Sequence, residues 1–518
     1  MTYGLALAFG ALLPLSLAPF GLWPLGAISV AGWFYLLYRA PGRCWLLGWC
    51  YGVGKYALGA SWVYVSINRF GNAPPPLAAF LVVLFVAGLA LFPLLNAWLY
   101  QRLKRSHQRL KRSHQRLEKS HQLLQKGRPL ADGLLFTGLL VGFEWLLTWV
   151  LTGFPWLFVG YAHLDTVLGN LAPVGGVLLV SFALTLSAVM LVVVALTPDV
   201  RTRSAAVLLA SLPWLAGWLG GAPAWVEVSA RREAALIQGN VDQATKWLPQ
   251  SRGPIYQTYL RLSEPHWDAD LVIWPEAAIT FMQHEATQVL GQLNAEAQAN
   301  GSTLVLGLPA LERLPDGDVV FRNTAVALGV GRGRYVKRRL VPFGEYVPLE
   351  DLLRGLIEFF DLPMSHSEPG SWHQPLLDIG GARAAMAICY EVVYPELVRE
   401  QGRQSDVLLT ISNDTWFGRS IGPLQHQQMA RMRALENGRW MLRGTNNGVT
   451  AIIDHTGRVR ASLPQFQEGA LRGEFALMTG YTPFARFGQT PLLVLLLLML
   501  GSLAYLRFRR GVSGDAAE

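Results

Sequence analysis

Long apolar segments constrain the fold of this chain more than any other feature of its sequence. Crossing the hydrocarbon core of a bilayer takes a helix of about 20 mostly apolar residues. Hydrophobic residues make up 52% of the chain and its mean hydropathy is +0.28, which is too apolar for an ordinary soluble protein. We predict a polytopic α-helical membrane domain with eight transmembrane helices, seven of them within 1–225. The predicted spans are 3–20, 22–38, 44–66, 77–100, 133–152, 168–196, 204–221 and 490–506.

The placement of positive charge predicts the orientation of this domain. Cytoplasmic loops carry an excess of Lys and Arg. If the N-terminus is cytoplasmic, most basic residues near the spans fall on the cytoplasmic side, and Arg69 is nearly alone on the other. We therefore predict a multi-pass protein of the bacterial inner membrane, with both termini cytoplasmic and the large segment before the last span in the periplasm. The basic residues on the predicted cytoplasmic side are Arg39, Arg43, those of the loop 101–131, Arg201, Arg203, Arg507, Arg509 and Arg510.

The basic loop contains a repeated unit of seven residues, at 102–108, 109–115 and 116–122. The period predicts a helix that continues the fourth span, but one leucine per unit is too few for a coiled-coil seam. A solvated basic helix is typical of contact with lipid headgroups. We favour that interpretation over a binding site for a partner protein or for nucleic acid.

From about 232 to 480 the pattern changes to short apolar runs that alternate with amphipathic helical stretches. This alternation predicts a layered α/β domain. We predict helices near 284–299 and 425–438. The predicted strands are 234–237, 271–274, 303–308, 324–328, 384–388, 407–411 and 449–453.

Three predicted strands in this domain end at reactive side chains, Glu276, Lys337 and Cys389. A carboxylate can take the thiol proton, the thiolate can attack a carbonyl, and an ammonium can stabilise the resulting oxyanion. Taken singly, Glu276 and Lys337 would most often be solvated surface charges, and Cys389 a small core residue. Together they indicate acyl transfer.

Cys389 follows a buried strand and precedes a helix-like segment, so we predict that it lies at a strand-to-helix elbow. Backbone N–H groups at such an elbow favour thiolate over thiol. The other two cysteines, Cys44 and Cys50, lie close together in an apolar span, so no disulfide framework is indicated. His366 and His373 lack metal-ligand spacing, and we predict neither a metal nor a cofactor.

Several segments, in order, resemble a known family. WPE at 274–276, YVK at 335–337 and CYE at 389–391 resemble the nitrilase, or carbon–nitrogen hydrolase, superfamily. QGN at 238–240, LVPFGEYVP at 340–348, SNDTWFG at 412–418 and TNNG at 445–448, flanked by the membrane spans, are similar to the apolipoprotein N-acyltransferase family. The resemblance implies an α-β-β-α sandwich over 232–480 on a membrane domain.

The resemblance also implies roles for individual residues. It makes Glu276 the general base, Lys337 the oxyanion-stabilising residue and Cys389 the nucleophile, with Glu345 and Glu391 as catalytic support. The residues implied to lie near the substrate are Trp247, Tyr390, Trp416, Asn323 and Arg443.

The implied reaction has two steps. Cys389 takes an acyl chain from a phospholipid, typically the sn-1 chain of phosphatidylethanolamine, and forms a thioester. The α-amino group of S-diacylglyceryl-cysteine at an apolipoprotein N-terminus then resolves it. The expected partners are therefore a phospholipid, a diacylglyceryl apolipoprotein and the membrane, and not nucleic acid.

An amphipathic pattern over 349–360 is compatible with a lid that dips into lipid, and packing on the domain core explains the pattern equally well.

Two other functions fit parts of the sequence. One is a membrane-tethered amidase or nitrilase that resolves the thioester with water. The other is a transporter or receptor with an inactive nitrilase-like domain. The intact catalytic set, together with the few ionisable residues within the spans (Lys55, Glu144 and Asp165), argues against the transporter.

Overall fold

The computed structural model describes residues 1–40, 42–112, 128–220, 225–314, 317–342, 344–346 and 367–515. It divides the chain into two compact units. One unit comprises Met1–Ser61, Ala79–Pro223 and Phe487–Glu518, and the other Trp62–Ala78 and Ala224–Arg486. The basic repeat beyond residue 112, the proposed lid at 349–360 and His366 lie outside the described residues.

The first unit is helical. Within the described ranges, three helical segments have the length and apolar composition to cross a membrane: Pro75–Lys104, Pro129–Leu146 and Val167–Leu196. Thr2–Leu15 and Thr490–Leu506 are apolar but shorter. A membrane domain is therefore supported, and the total of eight transmembrane helices stays a prediction. The longer helices run Thr2–Leu15, Pro24–Arg39, Cys44–Gly59, Pro75–Leu89, Leu91–Arg112, Arg128–Leu146, Ala172–Leu196, Val200–Leu219 and Thr490–Asp515.

Glycines bring two of these helices into backbone contact. A Cβ atom added at Gly10 would lie 2.0 Å from the Tyr51 carbonyl oxygen, and one at Gly54 would lie 2.0 Å from the Leu7 carbonyl oxygen. No side chain fits in so short a space. The helices Thr2–Leu15 and Cys44–Gly59 therefore pack through small residues, as membrane helices commonly do.

Two ionisable side chains of the predicted spans, Lys55 and Glu144, are buried in this unit. With Tyr56 and Asn96 they help to line a cavity of about 30 Å³. A cavity of this size has room for one or two water molecules. Glu144 Oε1 also accepts a hydrogen bond from the backbone N–H of Val159 at 2.7 Å, so part of its burial is compensated within the helical unit.

The second unit contains two six-stranded sheets. One has the strand order β12-β1-β2-β3-β4-β5, and the other β11-β10-β9-β8-β7-β6. Strands β1, β2 and β3 run parallel, as do β7, β8 and β9. The strands are β1 Val226–Gln238, β2 Leu271–Ile273, β3 Thr303–Arg313, β4 Val319–Gly329, β5 Gly333–Val336, β6 Leu377–Asp378, β7 Arg383–Ile388, β8 Val407–Ser412, β9 Met441–Thr445, β10 Thr450–Ile453, β11 Val459–Leu463 and β12 Gly469–Gly480.

The alternation of side chains along the strands produces the layers. On β2, Leu271 and Ile273 point into the core between the two sheets, whereas Val272 lies in a second apolar cluster with residues of the helices Arg252–Ser263 and Thr287–Ala299. Successive residues of a strand face opposite sides of its sheet, so a strand that is apolar throughout is buried on both faces. The helices Pro395–Gly402 and Gly422–Asn437 pack against strands of the other sheet. The predicted layered α/β domain with two central sheets is confirmed.

Each strand that was predicted with bounds matches an observed strand, with an overrun of one residue at 274 and at 449. Several other strands were missed. Strands β6, β9, β11 and β12 had no prediction, β5 was predicted only as the strand that ends at Lys337, and β1 begins earlier than predicted. The segment Trp62–Ala78 groups with the catalytic unit, whereas the sequence analysis placed it inside the membrane domain. Its residues form the short helical turns Val63–Val65 and Ser66–Phe70.

Candidate active site

The two sheets bring Glu276, Lys337 and Cys389 into one buried site. Glu276 lies in the loop that follows β2, while Lys337 directly follows β5 and Cys389 directly follows β7. A Cβ at Gly307, on the neighbouring strand β3, would lie 2.8 Å from the Glu276 Cα. Glycine at this position therefore allows the loop that carries Glu276 to lie close against the sheet.

The carboxylate of Glu276 is held on both of its oxygens. Oε1 accepts hydrogen bonds from Asn323 Nδ2 at 2.7 Å and from Lys337 Nζ at 3.3 Å. Oε2 accepts one from the backbone N–H of Asn413 at 2.8 Å. Burial alone would raise the pKa of Glu276, but the Lys337 charge and these hydrogen bonds lower it below the ordinary value. Glu276 is therefore an ionised carboxylate that is ready to accept a proton.

Lys337 lies between two glutamates. Its Nζ donates to Glu345 Oε1 at 2.8 Å, as well as to Glu276. Glu345 is in turn fixed by Asn323 Nδ2 at 3.1 Å and by the backbone N–H of Val341 at 2.8 Å. Burial would lower the pKa of Lys337, but the charges of Glu345 and Glu276 raise it. The lysine thus remains a cation although its side chain is only 1% exposed.

Cys389 adopts a left-handed backbone conformation, with φ at 53°. This conformation is strained for a residue other than glycine and is typical of a nucleophile at a sharp turn between a strand and a helix. A 3₁₀ turn over Cys389–Val393 follows, and then the helix Pro395–Gly402. The predicted elbow at the end of β7 is present.

Glu391 ties this elbow to the segment that carries Lys337. Its Oε2 accepts the backbone N–H of Ile388 at 2.7 Å, and its Oε1 accepts those of Arg338 at 2.7 Å and Arg339 at 3.1 Å. The hydroxyl of Tyr335 donates to the same carboxylate at 3.0 Å. Glu391 is fully buried, and its contacts fix the residues beside Cys389 and Lys337 relative to each other.

The tertiary surroundings of Cys389 oppose the thiolate that the backbone N–H groups of the elbow favour. Burial raises the pKa of the Cys389 thiol, and the Glu276 charge raises it further, while Lys337 only partly offsets these effects. The backbone environment of the elbow does not overcome desolvation. Cys389 rests as a thiol, so a base has to remove its proton during attack.

The three aromatic residues predicted near the substrate are Tyr390, Trp247 and Trp416. Tyr390 adjoins the nucleophile, and its ring packs edge-on against Tyr394 with centroids 5.3 Å apart. Trp247 and Trp416 are half-buried. Trp247 follows the short helix Gln243–Lys246 and its ring lies 6.0 Å from Lys246 Nζ.

The segment Trp62–Ala78 contacts the turn that carries Trp416. The ring of Phe70 packs edge-on against Trp416 with centroids 5.6 Å apart, and Trp62 packs against Phe417 at 4.7 Å. The hydroxyl of Ser66 donates to the Trp416 carbonyl oxygen at 2.8 Å. The segment Trp62–Ala78 lies well over a hundred residues before the catalytic domain in the sequence. These contacts explain why it belongs to the same compact unit.

Asn323 and Arg443, predicted as substrate-binding residues, make their hydrogen bonds to other site residues. Asn323 bridges Glu276 and Glu345. Arg443 is fully buried and donates to Asp414 Oδ2 at 2.6 Å. Their contacts suit positioning better than direct recognition of a substrate.

Several residues that complete the site had no predicted role. Asn413 donates its backbone N–H to Glu276, and Ser412, Asp414 and His426 form a polar network beside Cys389. Lys246 is buried, donates to the Glu276 carbonyl oxygen at 3.3 Å, and has its pKa lowered to about 8 by burial. The motif SNDTWFG and the Lys246–Trp247 pair were the signals that could have revealed them.

Comparisons with known proteins agree on both parts of the chain. The family model of the apolipoprotein N-acyltransferase N-terminal domain matches residues 9–190, and that of carbon–nitrogen hydrolases matches residues 233–481. The apolipoprotein N-acyltransferase of Pseudomonas aeruginosa (strain UCBPP-PA14) is 46% identical over 494 residues, covering 94% of this chain and 92% of that protein. The one from Azotobacter vinelandii is 46% identical over 523 residues, covering 99% and 97%. Among solved structures, Nit3 of Saccharomyces cerevisiae, a nitrilase-superfamily member, matches 48% of this chain and 91% of its own with 18% identity and a TM-score of 0.37.

Proposed function

This chain belongs to the apolipoprotein N-acyltransferase family. We propose that it takes the sn-1 acyl chain of phosphatidylethanolamine and holds it as a thioester on Cys389. The acyl chain then passes to the α-amino group of S-diacylglyceryl-cysteine at the N-terminus of an apolipoprotein. The observation that carries the proposal is the buried site in which Glu276 and Lys337 are hydrogen-bonded to each other and electrostatically coupled to Cys389. Both substrates are components of the bilayer, which accounts for a catalytic domain carried on a chain with membrane helices.

In the first step, Glu276 takes the proton of the Cys389 thiol as the sulfur attacks the ester carbonyl. Lys337 stabilises the oxyanion of the tetrahedral intermediate, because it stays cationic between its two glutamates. The C–O bond of the ester then breaks, and Glu276 returns the proton to the departing oxygen. The products are a lysophospholipid and an acyl thioester on Cys389.

In the second step, the amine of the lipoprotein attacks the thioester carbonyl. Glu276 takes a proton from the attacking nitrogen, and Lys337 again stabilises the oxyanion. The C–S bond breaks and Glu276 gives the proton to the Cys389 sulfur. The amide product leaves, and the site returns to its resting state with a protonated thiol.

The ping-pong mechanism predicts a burst. Phosphatidylethanolamine alone, added to the detergent-solubilised full chain, should release about one equivalent of lysophospholipid per enzyme and then stall, because no amine resolves the thioester. Adding a diacylated lipopeptide with a free N-terminal amine should restart turnover. A donor with palmitate at sn-1 and oleate at sn-2 identifies the chain on Cys389 by mass spectrometry.

The matched control is the same lipopeptide with an acetylated N-terminus, which should not restart turnover. Continuous release of free fatty acid without an acceptor would reject the transferase and support the membrane-tethered hydrolase instead. Oleate on Cys389 would reject the sn-1 assignment while leaving the transfer intact.

The distribution of basic residues supports the orientation that we propose, with the catalytic domain in the periplasm and both termini in the cytoplasm. In a background that carries Cys44→Ala and Cys50→Ala, a cysteine replacing Ser113 in the basic loop should resist a membrane-impermeant maleimide in intact spheroplasts. A cysteine replacing Gln298, which is exposed on the helix Thr287–Ala299, should react. The reverse labelling pattern would contradict the orientation.

A further inference from the structure

A second set of hydrogen bonds reaches the Cys389 sulfur through Ser412. Ser412 Oγ lies 3.4 Å from Cys389 Sγ and 2.5 Å from Asp414 Oδ1. A hydroxyl has one proton and can donate it to only one of these atoms. The bond to a carboxylate is the shorter and stronger of the two. The Ser412 proton therefore points to Asp414, and the lone pairs of its oxygen face the sulfur.

Asp414 is held as an anion. Arg443 Nη2 donates to Asp414 Oδ2 at 2.6 Å, and both side chains are fully buried. Burial would raise the pKa of Asp414, but the guanidinium of Arg443 and the ring of His426 lower it well below its usual range. Because a guanidinium does not lose its proton, the carboxylate keeps its charge throughout the working pH range.

His426 joins this network to the backbone of the nucleophile. Its Nε2 lies 3.1 Å from the Cys389 carbonyl oxygen, which can only accept, so Nε2 carries a proton. Its Nδ1 lies 3.1 Å from both Arg443 Nη2, which can only donate, and Asp414 Oδ1, which can only accept. Burial and the Arg443 charge lower the pKa of His426, in agreement with a neutral ring. The neutral histidine thereby anchors the strained elbow.

We propose that Ser412 and Asp414 are positioning residues for the nucleophile. Asp414 accepts the Ser412 proton, which leaves the Ser412 oxygen free to accept a hydrogen bond from the Cys389 S–H. This bond holds the sulfur protonated and in one orientation. The proposal rests on acyl transfer through Cys389 and adds a group that acts on the resting thiol. During attack the S–H bond turns from the Ser412 oxygen toward Glu276, which takes the proton from a sulfur whose position is already fixed.

The charges around the sulfur predict how it responds to loss of Asp414. Glu276 and Asp414 are anions and disfavour the thiolate, whereas Lys337 favours it. Removing the Asp414 charge should therefore increase the fraction of thiolate at a given pH. The titratable and charged groups at this site come from several elements: Lys246 from the helix Gln243–Lys246, Glu276 after β2, Lys337 and Glu345 after β5, Glu391 after β7, Asp414 after β8, His426 from the helix Gly422–Asn437 and Arg443 on β9.

Alkylation of Cys389 by iodoacetamide tests this response without depending on acyl transfer. In the full-length Asp414→Asn variant, mass spectrometry of the Cys389 peptide should show alkylation at least about threefold faster at pH 8. A fall of one unit in pKa gives tenfold more thiolate, and the lower nucleophilicity of a less basic thiolate removes part of that gain. An unchanged or slower rate at Cys389 would overturn the proposal, with Cys44 and Cys50 as internal references.

Serine variants test the direction of the hydrogen bond and leave the buried Asp414–Arg443 pair in place. In Ser412→Ala, Cys389 should be alkylated at least as fast as in the unchanged protein, because the variant loses an acceptor that stabilises the protonated thiol and loses no donor to the thiolate. The kcat of acyl transfer should fall about tenfold with little change in KM, because the thiol is no longer held in place. Ser412→Thr keeps the hydroxyl and should restore most of the rate.

Thr410→Val is the matched control for these variants. Thr410 is buried on the same strand and the same face as Ser412, two residues earlier, and its variant should transfer acyl chains at the rate of the unchanged protein. Slower alkylation in Ser412→Ala would mean that Ser412 donates to the thiolate and would overturn the proposal. Unchanged transfer in Ser412→Ala would overturn it as well. A failure of acyl transfer in the unchanged protein would instead count against the proposed function alone.

Discussion

Replacing Cys389 with alanine is expected to reduce acyl transfer by roughly four orders of magnitude or more, because the covalent intermediate can no longer form. Serine at this position should also be inactive at neutral pH, since its hydroxyl is a far weaker acid than a thiol and Glu276 is a weak base in its hydrogen-bonded setting. The burst of lysophospholipid and the acyl adduct detected by mass spectrometry should both disappear.

The variant should remain folded. Alanine at position 389 would adopt the same left-handed backbone conformation as cysteine, with φ at 53°. The strain at the elbow is therefore unchanged. The main hydrogen bonds that fix the elbow come from Glu391 and His426 rather than from the sulfur. We expect a thermal midpoint within a few degrees of the parent, corresponding to about 1 kcal/mol or less.

Cys50→Ala provides the matched control, because Cys50 is a free cysteine in the helical unit. That variant should keep full transfer activity and the acyl adduct on Cys389. Transfer by folded Cys389→Ala at a rate near that of the parent would refute the assignment of the nucleophile.

The strand ends were the most predictable part of this structure. Glu276, Lys337 and Cys389 each end an apolar run, and strand ends in layered α/β folds converge on a common edge. Strand β6 escaped prediction because its two residues carry no periodic pattern. The pairing of β12 with β1 joins residues more than two hundred positions apart, which no local pattern reveals.

The electrostatics of the site were less predictable than its residues. Backbone N–H groups at the elbow favour the thiolate, but burial and the neighbouring Glu276 charge raise the pKa of Cys389, and both effects depend on tertiary packing. The buried Asp414–Arg443 pair likewise joins the end of β8 to β9, and no local pattern in the sequence indicates that these two residues pair. The aromatic contacts of Trp62 and Phe70 were hidden for the same reason, because their partners Trp416 and Phe417 lie far along the chain.

Glu276→Gln is expected to lower the rate of thioester formation by roughly three to four orders of magnitude, which is the range of a general base. Glutamine has nearly the same shape but cannot take the thiol proton. Both oxygens of Glu276 accept hydrogen bonds, from Asn323, Lys337 and Asn413. Glutamine has one acceptor oxygen, so at least one donor loses its partner, at a cost of about 1–3 kcal/mol in stability.

The pH dependence of the residual reaction distinguishes loss of a base from general damage. In the unchanged protein, the lowered pKa of Glu276 keeps it ionised, so acylation should vary little between pH 7 and pH 9. In Glu276→Gln only the thiolate can attack, and the raised pKa of Cys389 makes its thiolate rare. The thiolate fraction, and with it the residual rate, should rise about tenfold for each pH unit in this window.

Two further variants make the result interpretable. Glu296→Gln, on the exposed surface of the helix Thr287–Ala299, should acylate as fast as the parent. Glu345→Gln removes a partner of Lys337 and leaves Glu276 in place, so it should lose activity without acquiring the steep pH dependence. The opposite result, a steep pH dependence in Glu345→Gln and none in Glu276→Gln, would mean that Glu345 takes the proton of Cys389. Glu276 would then act only by holding Lys337 and the backbone N–H of Asn413.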